Sequence, residues 1–122
     1  MASELRVNTL KDAAGNNSIA TSFVAGGSAK QWWYSGTDAS ISDSFNTSSG
    51  TDVGVGIYRA NFTNSFVNVF WAGSGSGFIN TGQDRKGQYS SAGSSSTGTL
   101  LLQIGATNTD FSGHGVGHGD LA

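Results

Sequence analysis

The chain has 122 residues and a formal net charge of −2, with its six Lys and Arg scattered along it, so no basic stripe offers itself to a nucleic-acid backbone. Charged residues make up 11 %, against roughly 25 % in an ordinary soluble domain; solubility therefore rests on Ser, Thr and Asn, a surface that can lie against another without desolvating charge. Cysteine is absent, which excludes disulfides and thiolate chemistry, and the length suits one domain with a modest core.

Met1-Ala-Ser-Glu-Leu-Arg carries a charge pair and opens no apolar run of signal-peptide length. No segment approaches the roughly 20 apolar residues of a membrane span, so synthesis in the cytoplasm without membrane insertion is expected. The sequons at Asn16, Asn46 and Asn61 then read as chance matches in an Asn/Ser/Thr-rich chain. From Glu4 to Leu10, Leu5, Val7 and Thr9 share one face of a strand. "DAAGNNS" is turn chemistry, and "IATSFVAGG" reads as a second strand with Ile19, Thr21 and Phe23 aligned. Together they form a hairpin of about 25 residues, too small to be stable alone. Gly26-Gly27-Ser28 is the expected joint, dividing an N-terminal hairpin over 1–27 from a β-rich body over 28–122.

The body opens with Trp32, Trp33 and Tyr34; alternation sets Trp33 on the face opposite its neighbours, one face being core and the other solvent or an interface. Ile41, Asp43 and Phe45 alternate with Ser42, Ser44 and Asn46, and Ile57, Arg59 and Asn61 alternate with Tyr58, Ala60 and Phe62. The intervening stretch of about ten residues exceeds an ordinary hairpin loop and has room for a short strand or a bulge. "FVNVFWAG" at 66–73 is apolar on both faces and reads as a central strand. The Gly- and Ser-rich run that follows argues against long strands, and Asp84, Arg85 and Lys86 read as a solvated turn. "TGTLLLQIGAT" is a strand with Leu100, Leu102 and Ile104 on one face; the tail alternates Phe111, Gly113, Gly115 and Gly117 against Ser112, His114, Val116 and His118. Short strands with turn signals between them and no helix point to an all-β fold, an antiparallel β-sandwich or small barrel. With no proline and little lysine to protect its edges, oligomerisation is the expected cover.

His114 and His118 are the only side chains of ordinary near-neutral titration. Four residues apart on a strand they are about 13 Å distant, too far to hold one ion within a chain, although three copies of either could meet at an ion on a trimer axis. Asp43, Asp52 and Asp110 show no spacing that singles out an acid pair and read as turn residues. Gly54-Val55-Gly56 and Gly73-Ser74-Gly75-Ser76-Gly77 lack the Lys-Ser/Thr and the helix of a phosphate loop. No catalysis, no metal and no cofactor are therefore expected. Trp32, Tyr34 and Tyr89, with Trp33 and Trp71, can offer flat apolar faces to sugar rings, although a small sandwich short of Leu and Ile also needs aromatics in its core.

"SELRVNTLKDAAGNNSIATSFVAGGSAKQW", "ISDSFNTSS", "YRANFTNSF" and the closing "HGDLA" resemble the short virion fibre proteins of tailed bacteriophages, especially those of marine and cyanobacterial hosts. The resemblance is densest over 3–31 and 41–66 and thin over 72–110. It implies a structural virion protein in a tail fibre or other appendage, homotrimeric, whose N-terminal element attaches or trimerises while the β-rich body faces outward. Leu5, Val7, Leu10, Ile19 and Phe23 would then be the attachment contacts. Trp32, Tyr34 and Tyr89, with loops at 47–56 and 73–98, would be the exposed candidates for a host surface glycan. Other virion proteins are the implied partners, and the alternative is a capsid decoration or tail connector without receptor binding. The Gly-rich "FSGHGVGH" departs from the more apolar final strand of such proteins, and the resemblance assigns the histidines no role.

Overall fold

The computed structural model describes residues 3, 6–15, 17–78 and 85–122. In the N-terminal unit, β1 (Thr9–Lys11) and β2 (Ser18–Ala20) pair antiparallel with Leu10 opposite Ile19. Gly15, at φ 71°, turns the chain between them, and Asn17 Nδ2 donates to Asp12 Oδ2 at 2.7 Å. The strand expected to continue through Phe23 ends at Ala20, and Thr21–Gly27 forms the short helix α1. The reason lies in the hydrogen bonds. Thr21 N donates to Asn8 O at 3.0 Å, but beyond it no strand among the described residues pairs with β2, and a helix satisfies the backbone locally. No residue of α1 is buried.

The body contains β3 (Ala29–Ser35), β4 (Ile41–Phe45), β5 (Thr47–Gly54), β6 (Ile57–Phe62), β7 (Ala72–Phe78), β8 (Arg85–Ser90), β9 (Thr97–Ile104), β10 (Thr107–Asn108) and β11 (Ser112–His118). One sheet runs β4-β3-β11-β7; the other runs β5-β6-β9-β8, with β10 folded back on the end of β9. All the ladders are antiparallel. β11 inserts between β3 and β7, and β9 between β6 and β8, so strands distant in the chain are neighbours in both sheets. The chain passes from sheet to sheet at Asn46, held at φ 55°, a left-handed conformation Asn tolerates. Its side chain locks the corner, Oδ1 accepting from Asn64 N at 2.7 Å and Nδ2 donating to Asn64 O at 3.0 Å. On the opposite side β7 and β8 pack so closely that a Cβ on Gly87 would lie 2.5 Å from the Ser76 carbonyl carbon. The fold is thus the expected all-β sandwich, drawn together at both margins.

Alternation decides the core where strands are regular. Trp33 goes inward, as do Tyr58, Ala60 and Phe62 on β6 and Leu100 and Leu102 on β9. A bulge between Tyr34 and Ser35 breaks the alternation expected of Ile41, Asp43 and Phe45: Asp43 pairs with Tyr34 on the outside, while Ile41 pairs with the buried Ser35 and packs on the core.

Three further expectations are corrected. "FVNVFWAG" is not a central strand: Phe66 and Trp71 are buried, Val67 is exposed and Phe70 is 89 % exposed. Asn68 Oδ1 accepts from Phe70 N at 2.8 Å, an Asx turn that competes with a ladder. The C-terminal "GDLA" straps this loop, with Val67 N donating to Asp120 O at 2.8 Å and Ala122 N to Ser65 O at 2.9 Å. The segments 47–56 and 73–98, named as exposed loops although the first had room for a short strand, contain β5, β7, β8 and the start of β9. Their small residues reflect packing, because Gly75 on β7, Gly98 on β9 and Gly115 on β11 line a slot filled by Tyr89 of β8.

Candidate functional site

The two outer faces of the sandwich differ in chemistry. On β5-β6-β9-β8 a cross-strand row reads Thr51, Arg59, Thr99 and Ser90, and the next pairs Ser49 with Asn61 and Asn61 with Thr97. Asn61 Nδ2 is tied to Ser49 Oγ at 2.9 Å and Thr51 Oγ1 at 3.0 Å, a polar lattice that satisfies itself.

The face of β4-β3-β11-β7 is aromatic. Register places Phe45, Trp32, Val116 and Ser74 side by side, and beside them Asp43, Tyr34, His114 and Ser76. Cross-strand neighbours of this kind lie about 5 Å apart. Trp32 is 38 % exposed and Phe45 52 %. His114 Nε2 and Ser76 Oγ share a hydrogen bond of 3.1 Å, and Asp43 Oδ1 accepts from Ser44 N at 2.9 Å. Small inward residues set the composition of this face: with Gly113, Gly115 and Gly117 turned to the core, the larger residues of β11 lie on the opposite face.

Sequence reasoning named Trp32 and Tyr34, and they are adjacent on this face. It missed Phe45, Asp43, His114 and Val116, since only the pairing of β3 with β4 and β11 brings these positions together; the signal available was the alternation within each strand. Tyr89 is a correction. It is buried in the core, its hydroxyl donating to Gln31 Oε1 at 2.9 Å while Gln31 Nε2 donates to Thr47 Oγ1 at 2.8 Å, so its ring is closed to any ligand. β8 has to turn Tyr89 inward because Gly87 and Tyr89 share the face that β7 covers. Trp33 and Trp71 are likewise buried.

Of the attachment candidates, Leu5 lies outside the described residues. Val7, Leu10 and Ile19 are exposed, and Phe23 on α1 is 74 % exposed. Leu10, Lys11, Asp12, Asn17, Ser18 and Ile19 line an open groove of about 290 Å³ along the hairpin. The sequon at Asn16 is outside the described residues, while the amides of Asn46 and Asn61 are engaged in the hydrogen bonds given above.

A second polar cluster lies where the loop before β11 meets the β5–β6 turn. Asp110 Oδ1 accepts from Gly56 N at 2.7 Å and from the Tyr58 hydroxyl at 3.3 Å; that hydroxyl also donates to Thr37 O. Burial, then the Asp110 charge, pushes the Tyr58 phenol well above its ordinary value, and burial does the same to Tyr89. Both phenols stay protonated in the fold at a pH where the unfolded chain, near pH 10, releases the protons. The stability these two groups contribute is therefore fully present below about pH 10 and is lost as pH rises above it. Thermal melts across this range, alongside ultraviolet titration of tyrosinate, should show two of the three tyrosines ionising only as the fold is lost. Ionisation of all three without unfolding would contradict their burial.

Among the described residues, no three His, Asp or Glu are grouped as metal ligands, and no helix is long and apolar enough to cross a membrane. No family model, curated protein or solved structure matches the chain.

Proposed function

We propose that this chain is a structural component of a bacteriophage virion, a tail-fibre or fibre-tip protein that contributes to host attachment. On this reading residues 1–27 join other virion proteins and other copies in a homotrimer, and the body is carried outward. Val7, Leu10, Ile19, Phe23 and Val24 carry the reading: all are exposed on a hairpin and helix in which none of the described residues is buried. A unit of this size does not hold together without a covering surface, and an attachment site supplies one. The sparse charge and unprotected sheet edges agree with a particle component. The reading includes no catalytic step.

The test is deletion of residues 2–25. The truncated protein is expected to keep the melting temperature of the full chain, because the body's core includes nothing from the segment. It should lose both the trimer mass in light scattering and its place in purified particles. Continued incorporation would overturn the attachment role. Full-length protein found on the capsid lattice, with one body face covered, would establish the decoration alternative.

A further inference from the structure

The aromatic face of β4-β3-β11-β7 contrasts with the polar outer face of β5-β6-β9-β8. Its first row is apolar, with Trp32 flanked by Phe45 and Val116, and its second is rich in hydrogen-bonding groups, with Tyr34 flanked by Asp43 and His114 and closed by Ser76. The rows are two residues apart along the strands, or about 7 Å, close to the width of one sugar ring. Apolar faces beside hydroxyl, carboxylate and imidazole groups match a ligand that is itself two-sided, with a C–H face and a rim of hydroxyls.

Area and charge narrow the occupant further. Four strands about 4.8 Å apart and five residues deep make a patch of roughly 300 Å², well below the ~800 Å² per partner of a stable protein interface. A second copy of the chain is therefore disfavoured on this face alone. Asp43 is the only carboxylate or fixed charge in the two rows, which disfavours phosphates and acidic polymers. Lys30, the nearest cation along β3, turns away to Ala25 O and Ser28 Oγ.

We propose that this face is a carbohydrate-binding platform, with a hexopyranose stacked on Trp32 between Phe45 and Val116 and its hydroxyls met by Asp43, the Tyr34 hydroxyl, His114 and Ser76. The proposal deepens the host-attachment reading and rests on it for the source of the sugar. A flat face encloses little of its ligand, so one site binds weakly. Several copies on one fibre raise the effective concentration and make the contact durable.

Saturation-transfer NMR on the full chain tests this with the methyl glycosides of glucose, galactose, mannose, N-acetylglucosamine and rhamnose as probes. At least one should take saturation at its ring protons. Trp32→Ala should weaken binding about tenfold or more, and Asp43→Asn several-fold, with both variants melting like the parent because neither side chain is in the core. No saturation of any of the five, or undiminished binding by Trp32→Ala, overturns the platform. Concentration-dependent burial of Trp32 between copies overturns it in favour of a self-association face. Mass spectrometry of purified particles separates the two levels: a sugar binder missing from the particle retains the platform and ends the virion reading, whereas a particle component without sugar binding does the reverse.

Discussion

Gly115→Ala is expected to lower stability by roughly 2–3 kcal/mol, a fall in melting temperature of about 10 °C. The added Cβ would lie 2.6–2.8 Å from three ring atoms of Tyr89. The ring cannot retreat. Behind it the site of a Cβ on Gly98 is 2.1 Å from the phenolic oxygen, and that of a Cβ on Gly75 is 2.8 Å from Tyr89 Cβ. The hydroxyl is also fixed to Gln31 across the core. Either the two sheets separate slightly or β11 shifts, and both forfeit contacts throughout a close-packed interior. Combining Gly115→Ala with Tyr89→Leu should recover part of the loss, because the smaller side chain vacates the slot. A melting temperature within about 2 °C of the parent for Gly115→Ala alone would show that the ring is not confined.

Trp71→Ala should cost about 3–5 kcal/mol, a large part of the 5–15 kcal/mol typical of a whole domain. Trp71 stacks on Phe66 at 5.0 Å and 15°, meets Phe62 edge-on at 5.6 Å, and lies 5.5 Å from Tyr89. Its Nε1 donates to Ser94 O at 2.9 Å, so truncation also leaves that carbonyl without its indole donor. The damage should spread to the C-terminal strap. Gly119 packs on Trp71 and Phe66, and Leu121 bridges to Phe66, so residues 119–122 lose their seat. Urea unfolding gives the energy, and amide exchange should show protection vanishing first at Val67 and Ala122. A loss below about 1 kcal/mol would place Trp71 outside the cooperative core.

The strap gives physical content to the closing "HGDLA". Asp120 contributes its carbonyl and Leu121 its bridge; both hold the 63–71 loop over the aromatic cluster. The Gly-rich "FSGHGVGH" has a packing reason too. Core bulk beside β11 comes from Tyr89, Phe66 and Trp71 of neighbouring elements, and glycines receive it.

Period-two alternation is a local property, and it was legible wherever a strand was regular. It separated Trp33 from Trp32 and Tyr34, set Tyr58, Ala60 and Phe62 on the face opposite Ile57, Arg59 and Asn61, and put His114 and Val116 on the face opposite the glycines of β11. Composition pointed equally well to an all-β sandwich. Pairing partners, bulges and register are non-local, and they decided the rest. A bulge at Tyr34/Ser35 sent Ile41 inward, β2 gave way to α1 where its pairing with β1 ends, and Tyr89 became core because three distant glycines left it room. The aromatic face belongs to this second kind: Phe45, Trp32 and Val116 are neighbours only because β3 lies between β4 and β11. A strand carries its own alternation in its residues, but which side chains share a surface depends on the strands beside it.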